Sequence, residues 1–466
     1  MDYDSIIHRY QASYYRLPQS VKLFLGTLYG KIPLPYRFGK AYTLHKKILD
    51  KFNESSVQYQ LDYQFNKTVE TLQFAYDHIP YYQSIFREYD FKVDDFKDFS
   101  DLRRIPLLTK EIIQKNLDRL YSDHIDKPVP YYTGGSSGQP MKMYAPLSVS
   151  RAKEKVYMNY TFRQANHEYR ERAVSLSARG NIGKNNNRYW EYQKIDNYLL
   201  VSLNHLNHYD IGKIVEEIRR WKPKTFYGYP SAISLFVKSC RTIGIDSMRG
   251  VTGVVLTSES ISWEDIESIQ TFFNATVVSH YGHTERVLSG YRKNKDEYHF
   301  FNSYGLVQSK DGELIGTSFD NLVMPYINYS TCDYVSDQYY YNGTDILKST
   351  EYIQGRRQDA LVTKENRVIP ILNILAGHFA SYQNVRRVQF YQKVPGKVTL
   401  RIEADREYAV DTNMILQHMR KKVGSSIDFT FQFVDEIRGT QRGKHILCIQ
   451  ELDIDLYKRR EKECVE

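Results

Sequence analysis

Residues Tyr131 to Pro140 read Y-Y-T-G-G-S-S-G-Q-P, which packs Gly134, Gly135 and Gly138 and the hydroxyls of Thr133, Ser136 and Ser137 into one short segment. Glycines let consecutive backbone N–H groups turn toward a single anion, and the hydroxyls add donors, so the segment can cradle a phosphate. It is not a Walker A loop, because no G-K-[ST] closes it. Gly134-Gly135-Ser136-Ser137-Gly138 also satisfies G-x-S-x-G, the nucleophile elbow that would make Ser136 a hydrolase nucleophile. An elbow needs a strand before its serine and a helix directly after it. Here Lys127-Pro128-Val129-Pro130 precedes, and Pro140 with the alternating Met141-Lys142-Met143-Tyr144 follows, a pattern that predicts a strand. Context favours the phosphate cradle over the elbow, with an ordinary flexible loop as the bland alternative.

Four further segments carry residue types suited to the same chemistry: Tyr281-Gly282-His283-Thr284-Glu285, then Gly312-Glu313-Leu314 with Pro325-Tyr326-Ile327-Asn328-Tyr329-Ser330-Thr331-Cys332-Asp333, then Gly355-Arg356-Arg357-Gln358-Asp359, and finally Arg442-Gly443-Lys444. Taken singly, each has an ordinary structural meaning. A Tyr-Gly pair can simply end a strand, an aspartate after a strand is usually a turn or cap residue, and a lysine between strands is usually a solvated charge. His205 and His208 are three apart, but with no third ligand in view they read as a polar surface pair rather than a metal site.

The elements that must position these residues follow from periodicity. Leu61, Phe65, Val69, Leu72 and Tyr76 keep helical spacing between Ser55 and His78, with Pro80 closing a core-facing helix. Between about Arg172 and Phe319, β-rich runs (Val174 to Ala178, Thr225 to Tyr229, Gly253 to Thr257, Thr276 to Tyr281, Glu313 to Phe319) alternate with helix-like stretches such as Tyr209 to Trp221, which predicts α/β layering. Beyond Gln358 the order changes. Val385 to Lys393 and Val398 to Ala404 read as strands joined through Pro395-Gly396. A helix follows, with Asp411 as N-cap, Ile415, Leu416, Met419 and Val423 on one face and Gly424 as its stop. Strands at Phe429 to Phe433 and Ile446 to Leu452 complete a small α+β domain.

The 466 residues, 41% hydrophobic and 26% charged, exclude a disordered chain and leave room for two to four domains. No apolar run is long enough to span a membrane, and Met1-Asp2-Tyr3-Asp4 does not open a signal peptide, so a cytoplasmic location is expected. Cys240, Cys332, Cys448 and Cys464 show no C-x-x-C spacing, which fits a reducing compartment. The net charge of +9 favours anionic partners. The first fifty residues are locally basic, with prolines at 18, 33 and 35 that break any long amphipathic helix. They suit a docked cap, or peripheral contact with an anionic membrane at its inner face. The 41 tyrosines read as amphipathic packing residues rather than a base-stacking platform, and no nucleic-acid partner is expected.

In order, the five segments resemble the signatures of the adenylate-forming enzymes. T-G-G-S-S-G-Q-P is similar to that family's phosphate loop T-S-G-[ST]-[ST]-G-x-P. The others resemble Y-G-x-[ST]-E, then G-E-L with P-L-I-R-Y-R-T-G-D, then G-R-x-D-D and the carboxy-terminal G-K element. The phenylacetate-coenzyme A ligase branch is most similar, in particular its capsular-polysaccharide-biosynthesis (CapK-like) members, with Tyr227-Gly228-Tyr229-Pro230-Ser231 and Ile79-Pro80-Tyr81-Tyr82 in their style. The resemblance implies an α/β fold: a large layered amino-terminal domain (a helical basic cap at 1–80, an ATP- and acid-binding part at 81–357) and a small mobile α+β domain at 358–466, hinged at Gln358. It implies ATP-dependent activation of a small carboxylic acid to an acyl-adenylate, with pyrophosphate released, then transfer to a thiol such as coenzyme A or to an amine, in surface-polysaccharide or secondary metabolism. Thr133, Gly134, Gly135, Ser136, Ser137 and Gly138 would hold the departing phosphates, with Thr284 near them and Glu285 on Mg2+. Tyr281 and Gly282, with the turn at Ser258 and Glu259, would hold adenine. Asp333 would take the ribose hydroxyls with Arg356 nearby, and Lys444 would bring an ammonium to the carboxylate and α-phosphate.

The sequence departs from the family at several points. Asn328 and Ser330 replace two arginines, Cys332 replaces a glycine, Gln358 replaces a hinge carboxylate, and Asn366 replaces another glycine, mildly, since asparagine tolerates left-handed backbone angles. These losses near the nucleotide sustain a second hypothesis: a nucleotide-binding, membrane-associated scaffold without adenylation activity.

Overall fold

A computed structural model describes Tyr14 and residues 17–122, 128–132, 141–177, 189–206, 209–356, 360–371, 384–404, 407–438, 446–454 and 457. The phosphate-loop residues Thr133 to Gly138, the hinge residue Gln358, the catalytic candidate Lys444, His208 and Cys464 lie outside the described residues.

The prolines do break the amino-terminal segment. Helix Gln19–Lys31 stops before Pro33, and helix Leu34–Glu54 is itself interrupted at Gly39, whose φ of 68° and ψ of −159° a glycine tolerates best. Ser56 caps helix Val57–His78 by accepting the Tyr59 N–H at 3.3 Å. Leu72 is fully buried and Leu61, Phe65 and Val69 pack on the same core, as their spacing predicts. Tyr76 departs from this expectation: it is 42% exposed and stacks its ring over Phe86, because Ala75 and Ile79, fully buried, are the residues that turn to the core in the last turn. Pro80 opens helix Pro80–Glu88, where its missing N–H costs nothing.

A ten-stranded sheet forms the centre among the described residues. Its parallel strands lie in the order Tyr198–Val201, Ala173–Leu176, Thr225–Gly228, Gly253–Thr257 and Thr276–Gly282, with antiparallel strands at both flanks. One face packs against helices Ile211–Trp221, Pro230–Thr242 and Trp263–Phe273, and the other receives Phe162 of helix Glu154–Gln164. The chain leaves strand Ala173–Leu176 in one direction and returns on its other side at Thr225–Gly228, so a topological switch point lies between these two. They approach closely. A Cβ on Gly228 would stand 2.1 Å from the Leu176 carbonyl oxygen. Glu313–Ser318 is a strand as expected, but it belongs to a second, antiparallel sheet with Gly305–Lys310, Tyr329–Val335 and Ile353–Arg356.

The carboxy-terminal part has its own core. Strands Val385–Val394 and Lys397–Ala404 form the expected hairpin through Gly396, at φ 72°. Asp411 caps helix Thr412–Val423 through the Met414 N–H at 2.8 Å, and strand Asp428–Phe433 follows. Ile415, Met419 and Val423 close over Val388, Phe390, Leu400 and Ile402. The last strand is short, Cys448–Gln450. A hairpin absent from the sequence expectations, Ala360–Val362 with Val368–Pro370, is tied in by the buried Gln392, whose amide donates to the Val362 carbonyl (2.7 Å) and accepts its N–H (2.8 Å). Asn366 in its turn adopts φ 61°, as a replaced glycine requires.

Tyrosines do pack as amphipathic residues. Tyr82, Tyr157 and Tyr329 are fully buried, yet each hydroxyl is bonded: to Pro325 O (3.0 Å), Ser303 Oγ (2.9 Å) and Glu285 Oε1 (2.9 Å). A buried ionic knot fastens the amino-terminal helices to the body. Lys153, wholly inaccessible, donates to Tyr304 O (2.7 Å), Phe319 O (3.0 Å) and Asp320 Oδ2 (3.0 Å), while Lys67 reaches Asp320 Oδ1 (3.0 Å) from helix Val57–His78.

Beside the knot, His45 is pushed down to about 4 by burial and by Lys153, and His167 is pushed to about 4 chiefly by burial. Both unfolded imidazoles titrate near ~6.5, so unfolding takes up protons below that pH. The stability they contribute is whole above ~6.5 and falls as pH drops toward 4, by about 1.4 kcal/mol per pH unit per histidine. Urea midpoints measured at pH 7, 6 and 5 should decline, and less so in His45→Asn/His167→Asn. An unchanged slope in the double variant would refute the assignment.

Candidate active site

Strand Thr276–Gly282 carries Tyr281 to the carboxyl end of the parallel sheet, and the turn after it presents Thr284 and Glu285. The Tyr281 hydroxyl donates to Asp333 Oδ2 at 2.9 Å. Glu285 is 6% exposed. Its Oε1 accepts from the Tyr329 hydroxyl at 2.9 Å with Lys110 Nζ at 3.8 Å, and its Oε2 lies 3.4 Å from His283 Nδ1. His283 Nε2 accepts the Leu288 N–H at 3.3 Å, which assigns the imidazole proton to Nδ1, on the side of Glu285. Burial alone would raise the Glu285 pKa. The His283 ring and the Lys110 ammonium outweigh it and hold the carboxyl well below the usual carboxylate range.

Lys110 is a site residue that motif reasoning missed. Leu108 donates its N–H to Asn328 O (2.9 Å) and accepts from the Ser330 N–H (3.0 Å), so the chain before helix Lys110–Lys115 is zipped to strand Tyr329–Val335. That pairing sets Lys110 at Glu285. No spacing rule connects the two, and the opening of a six-residue helix gives little signal.

The family departures take on definite roles. Asn328 is 3% exposed and its amide donates to Leu102 O (2.6 Å) and Ile105 O (2.9 Å), a core lock. Cys332 adopts φ 60°, the left-handed conformation a glycine would supply. Glu313, from the G-E-L segment, holds this bend. Its Oε1 accepts from the Ser330 hydroxyl and from the Cys332 N–H (2.9 Å), and its Oε2 from the Tyr334 hydroxyl (3.3 Å). The bend delivers Asp333 to Tyr281, with Arg356 opposite in the register of the neighbouring strand.

The stem of the glycine-rich segment is also at hand. Strand Val129–Tyr132 pairs with Lys142–Ala145, so a strand follows the loop where an elbow requires a helix. The Arg286 guanidinium, next to Glu285, stands 4.8 Å from the Tyr131 ring centroid. Ser258 takes φ 69°, again a glycine-like angle at the end of a parallel strand. Its neighbour Glu259 is engaged: Oε2 accepts the Ser231 N–H at 3.1 Å and so caps helix Pro230–Thr242, joining the Tyr227–Ser231 segment to this turn. His205 bonds Ser202 Oγ through Nδ1 at 2.9 Å and packs on Tyr189, and the described residues contain no cluster of three or more metal-ligating side chains.

Solved structures of 2-hydroxyisobutyryl-CoA ligase in its postadenylation state, one with R3-HIB-AMP and one with 2-HIB-AMP, each match with a TM-score of 0.61 at 14% identity, over 86% of this chain and 90% of that one. The fold is that of the adenylate-forming enzymes, with a separate carboxy-terminal domain. Residues 361–451 match the family model of the CapK C-terminal domain, and the protein CapK of Staphylococcus aureus is 22% identical over 439 residues, spanning 91% of this chain and 95% of that protein. The chain thus carries a CapK C-terminal domain at 361–451 and is similar to CapK along most of its length.

The grip of Glu313 on the bend is measurable at Cys332, whose thiol pKa is raised by burial and by Glu313. In a Cys448→Ser/Cys464→Ser background, Glu313→Ala should speed alkylation of Cys332 by about threefold for each pKa unit recovered, the roughly tenfold gain in thiolate being partly offset by its lower nucleophilicity. An unchanged rate would mean that Glu313 neither anchors the bend nor biases the thiol.

Proposed function

We propose that the protein is an ATP-dependent ligase that converts a small carboxylic acid to an acyl-adenylate with release of pyrophosphate, then passes the acyl group to a thiol or amine. The observation that carries this reading is the convergence of Tyr281, Glu285 and Asp333, from two sheets, beside the stem of the glycine-rich loop. In this reading Tyr281 and Gly282 flank adenine together with the backbone of the Ser258–Glu259 turn. Asp333 accepts the ribose hydroxyls, assisted by Arg356. Thr133 to Gly138 and Thr284 hold the departing phosphates, and Lys444 carries a mobile positive charge to the attacking carboxylate and α-phosphate. Lys110 adds a fixed cation that Asn328 and Ser330 do not provide.

The donor set fits Mg2+. Glu285 is a hard oxygen donor kept ionised, and this ion is commonly held by one or two carboxylates plus substrate phosphates. When bound it would neutralise phosphate charge in the transition state. The acid would lie near the switch point between strands Ala173–Leu176 and Thr225–Gly228, where open α/β sheets bind ligands, against Tyr227 to Ser231. The family match at 361–451 falls within the proposed mobile domain at 358–466, which leaves 1–80 as a cap and 81–357 as the ATP- and acid-binding part. Coenzyme A is one acceptor, an amine the other. A role in surface-polysaccharide assembly is suggested by the CapK name of the relative. Adenylation is favoured over the scaffold alternative by the bend that aims Asp333 at Tyr281, which the substituted Asn328, Ser330 and Cys332 keep.

ATP–pyrophosphate exchange with pools of aryl, fatty, amino and sugar acids should reveal activity with one pool. Glu285→Ala, Asp333→Ala and Lys444→Ala should each reduce it by about a hundredfold or more, and Lys110→Ala should weaken ATP use by about tenfold. ATP binding without exchange in any pool would count against adenylation and restore the scaffold.

A further inference from the structure

Helix Gln19–Lys31 is seated the wrong way round for a helix of a water-soluble domain. Its protein-facing side is small and polar. Gly26 and Gly30 are buried, and a Cβ on Gly30 would stand 2.9 Å from the carbonyl oxygens of Lys194 and Ile195. Gln19 donates to Tyr192 O at 2.9 Å, and Lys22 pairs with Glu191 at 2.8 Å. Its apolar stripe faces outward instead. Val21, Phe24, Leu25 and Leu28, at helical spacing i, i+3, i+4 and i+7, are 38%, 65%, 40% and 51% exposed. The ordinary arrangement buries such a stripe, so an outward one marks a surface for something else.

The charges beside the stripe select the occupant. Residues 17–54 hold seven Lys and Arg against two acidic residues. Lys31, Lys40 and Lys47 are exposed and form no ion pair among the described residues, and the adjoining helix Leu34–Glu54 also exposes Tyr36 and Leu44. A 13-residue helix is about 20 Å long, too short to span a bilayer, and no helix among the described residues is long and apolar enough to do so. Apolar residues between unpaired lysines are what a helix lying in the plane of an anionic lipid surface presents.

We propose that helix Gln19–Lys31 is a peripheral membrane anchor, laying Val21, Phe24, Leu25 and Leu28 into the interfacial layer of an anionic bilayer while Lys31, Lys40 and Lys47 meet the headgroups. The inference stands apart from adenylation and survives its failure. The full chain should co-sediment with vesicles containing phosphatidylglycerol, weakly or not at all with pure phosphatidylcholine, and less as salt rises. Phe24→Ser/Leu28→Ser and, separately, Lys31→Glu/Lys40→Glu/Lys47→Glu should each lower binding by about tenfold or more. Because all five side chains are exposed, unfolding temperatures should stay at the parent value, which separates lost binding from lost fold. Absence of binding to anionic vesicles, or binding unaffected by Phe24→Ser/Leu28→Ser, overturns the proposal. So does a dimer in sedimentation velocity that this double variant abolishes while vesicles are not bound, because the stripe would then be an interface between copies.

Discussion

Two left-handed residues shape strand Tyr329–Val335 where the site uses it. Asn328 enters at φ 53° and Cys332 bends it at φ 60°, conformations that cost a non-glycine residue roughly 1 kcal/mol or more each. Polar groups around them offset that cost: the carbonyls of Leu102 and Ile105 for the asparagine, the Glu313 carboxylate for the backbone at the cysteine. With the bend in place, Tyr329 points at Glu285 and Asp333 at Tyr281, and the backbone of the strand draws Leu108 alongside and Lys110 with it. A single strained segment thus couples two sheets and the chain around Leu108. The glycine of the family motif is one way to make the bend, and a cysteine pinned by a carboxylate is another.

Periodicity made much of the framework legible. Helix Val57–His78, the parallel strands Thr225–Gly228, Gly253–Thr257 and Thr276–Gly282, and the carboxy-terminal hairpin, helix and strand all lie within a few residues of where the sequence puts them. These elements bury one face or both, so their apolar spacing records their geometry. Hairpin Ala360–Val362 with Val368–Pro370 left too short a record, being fixed by the side chain of a distant glutamine. Helix Gln19–Lys31 was not delimited in the sequence beyond its flanking prolines, because its apolar residues face outward and its packed face is made of glycines and polar groups.

The site divides along similar lines. Tyr281, Glu285 and Asp333 were legible because their motifs are local strings, and the structure brings them together. Lys110 was not, and Glu313 was legible only as a letter of its motif, since what each does lies in contacts between segments apart in the chain. The residues that replace the two arginines are structural in this chain, Asn328 bonding to Leu102 and Ile105 and Ser330 to Glu313. Asn328 points into the core, so charge at that position says nothing about the nucleotide in this chain. A motif compares residue types at fixed positions, while electrostatics depends on whatever reaches the same volume of space.

Glu259 gives the region a further property. A helix amino terminus bears partial positive charge and unpaired N–H groups, which makes it a natural receptor for any anion entering a crevice. At helix Pro230–Thr242 that receptor is filled by the chain's own carboxylate, 3.1 Å from the Ser231 N–H. The helix therefore carries an internal counter-ion, and an incoming acid or phosphate finds its end already neutralised. If the chain activates an acid as proposed, its anionic groups would be left to the glycine-rich loop and the lysines, and Tyr227 to Ser231 would discriminate by shape rather than by charge.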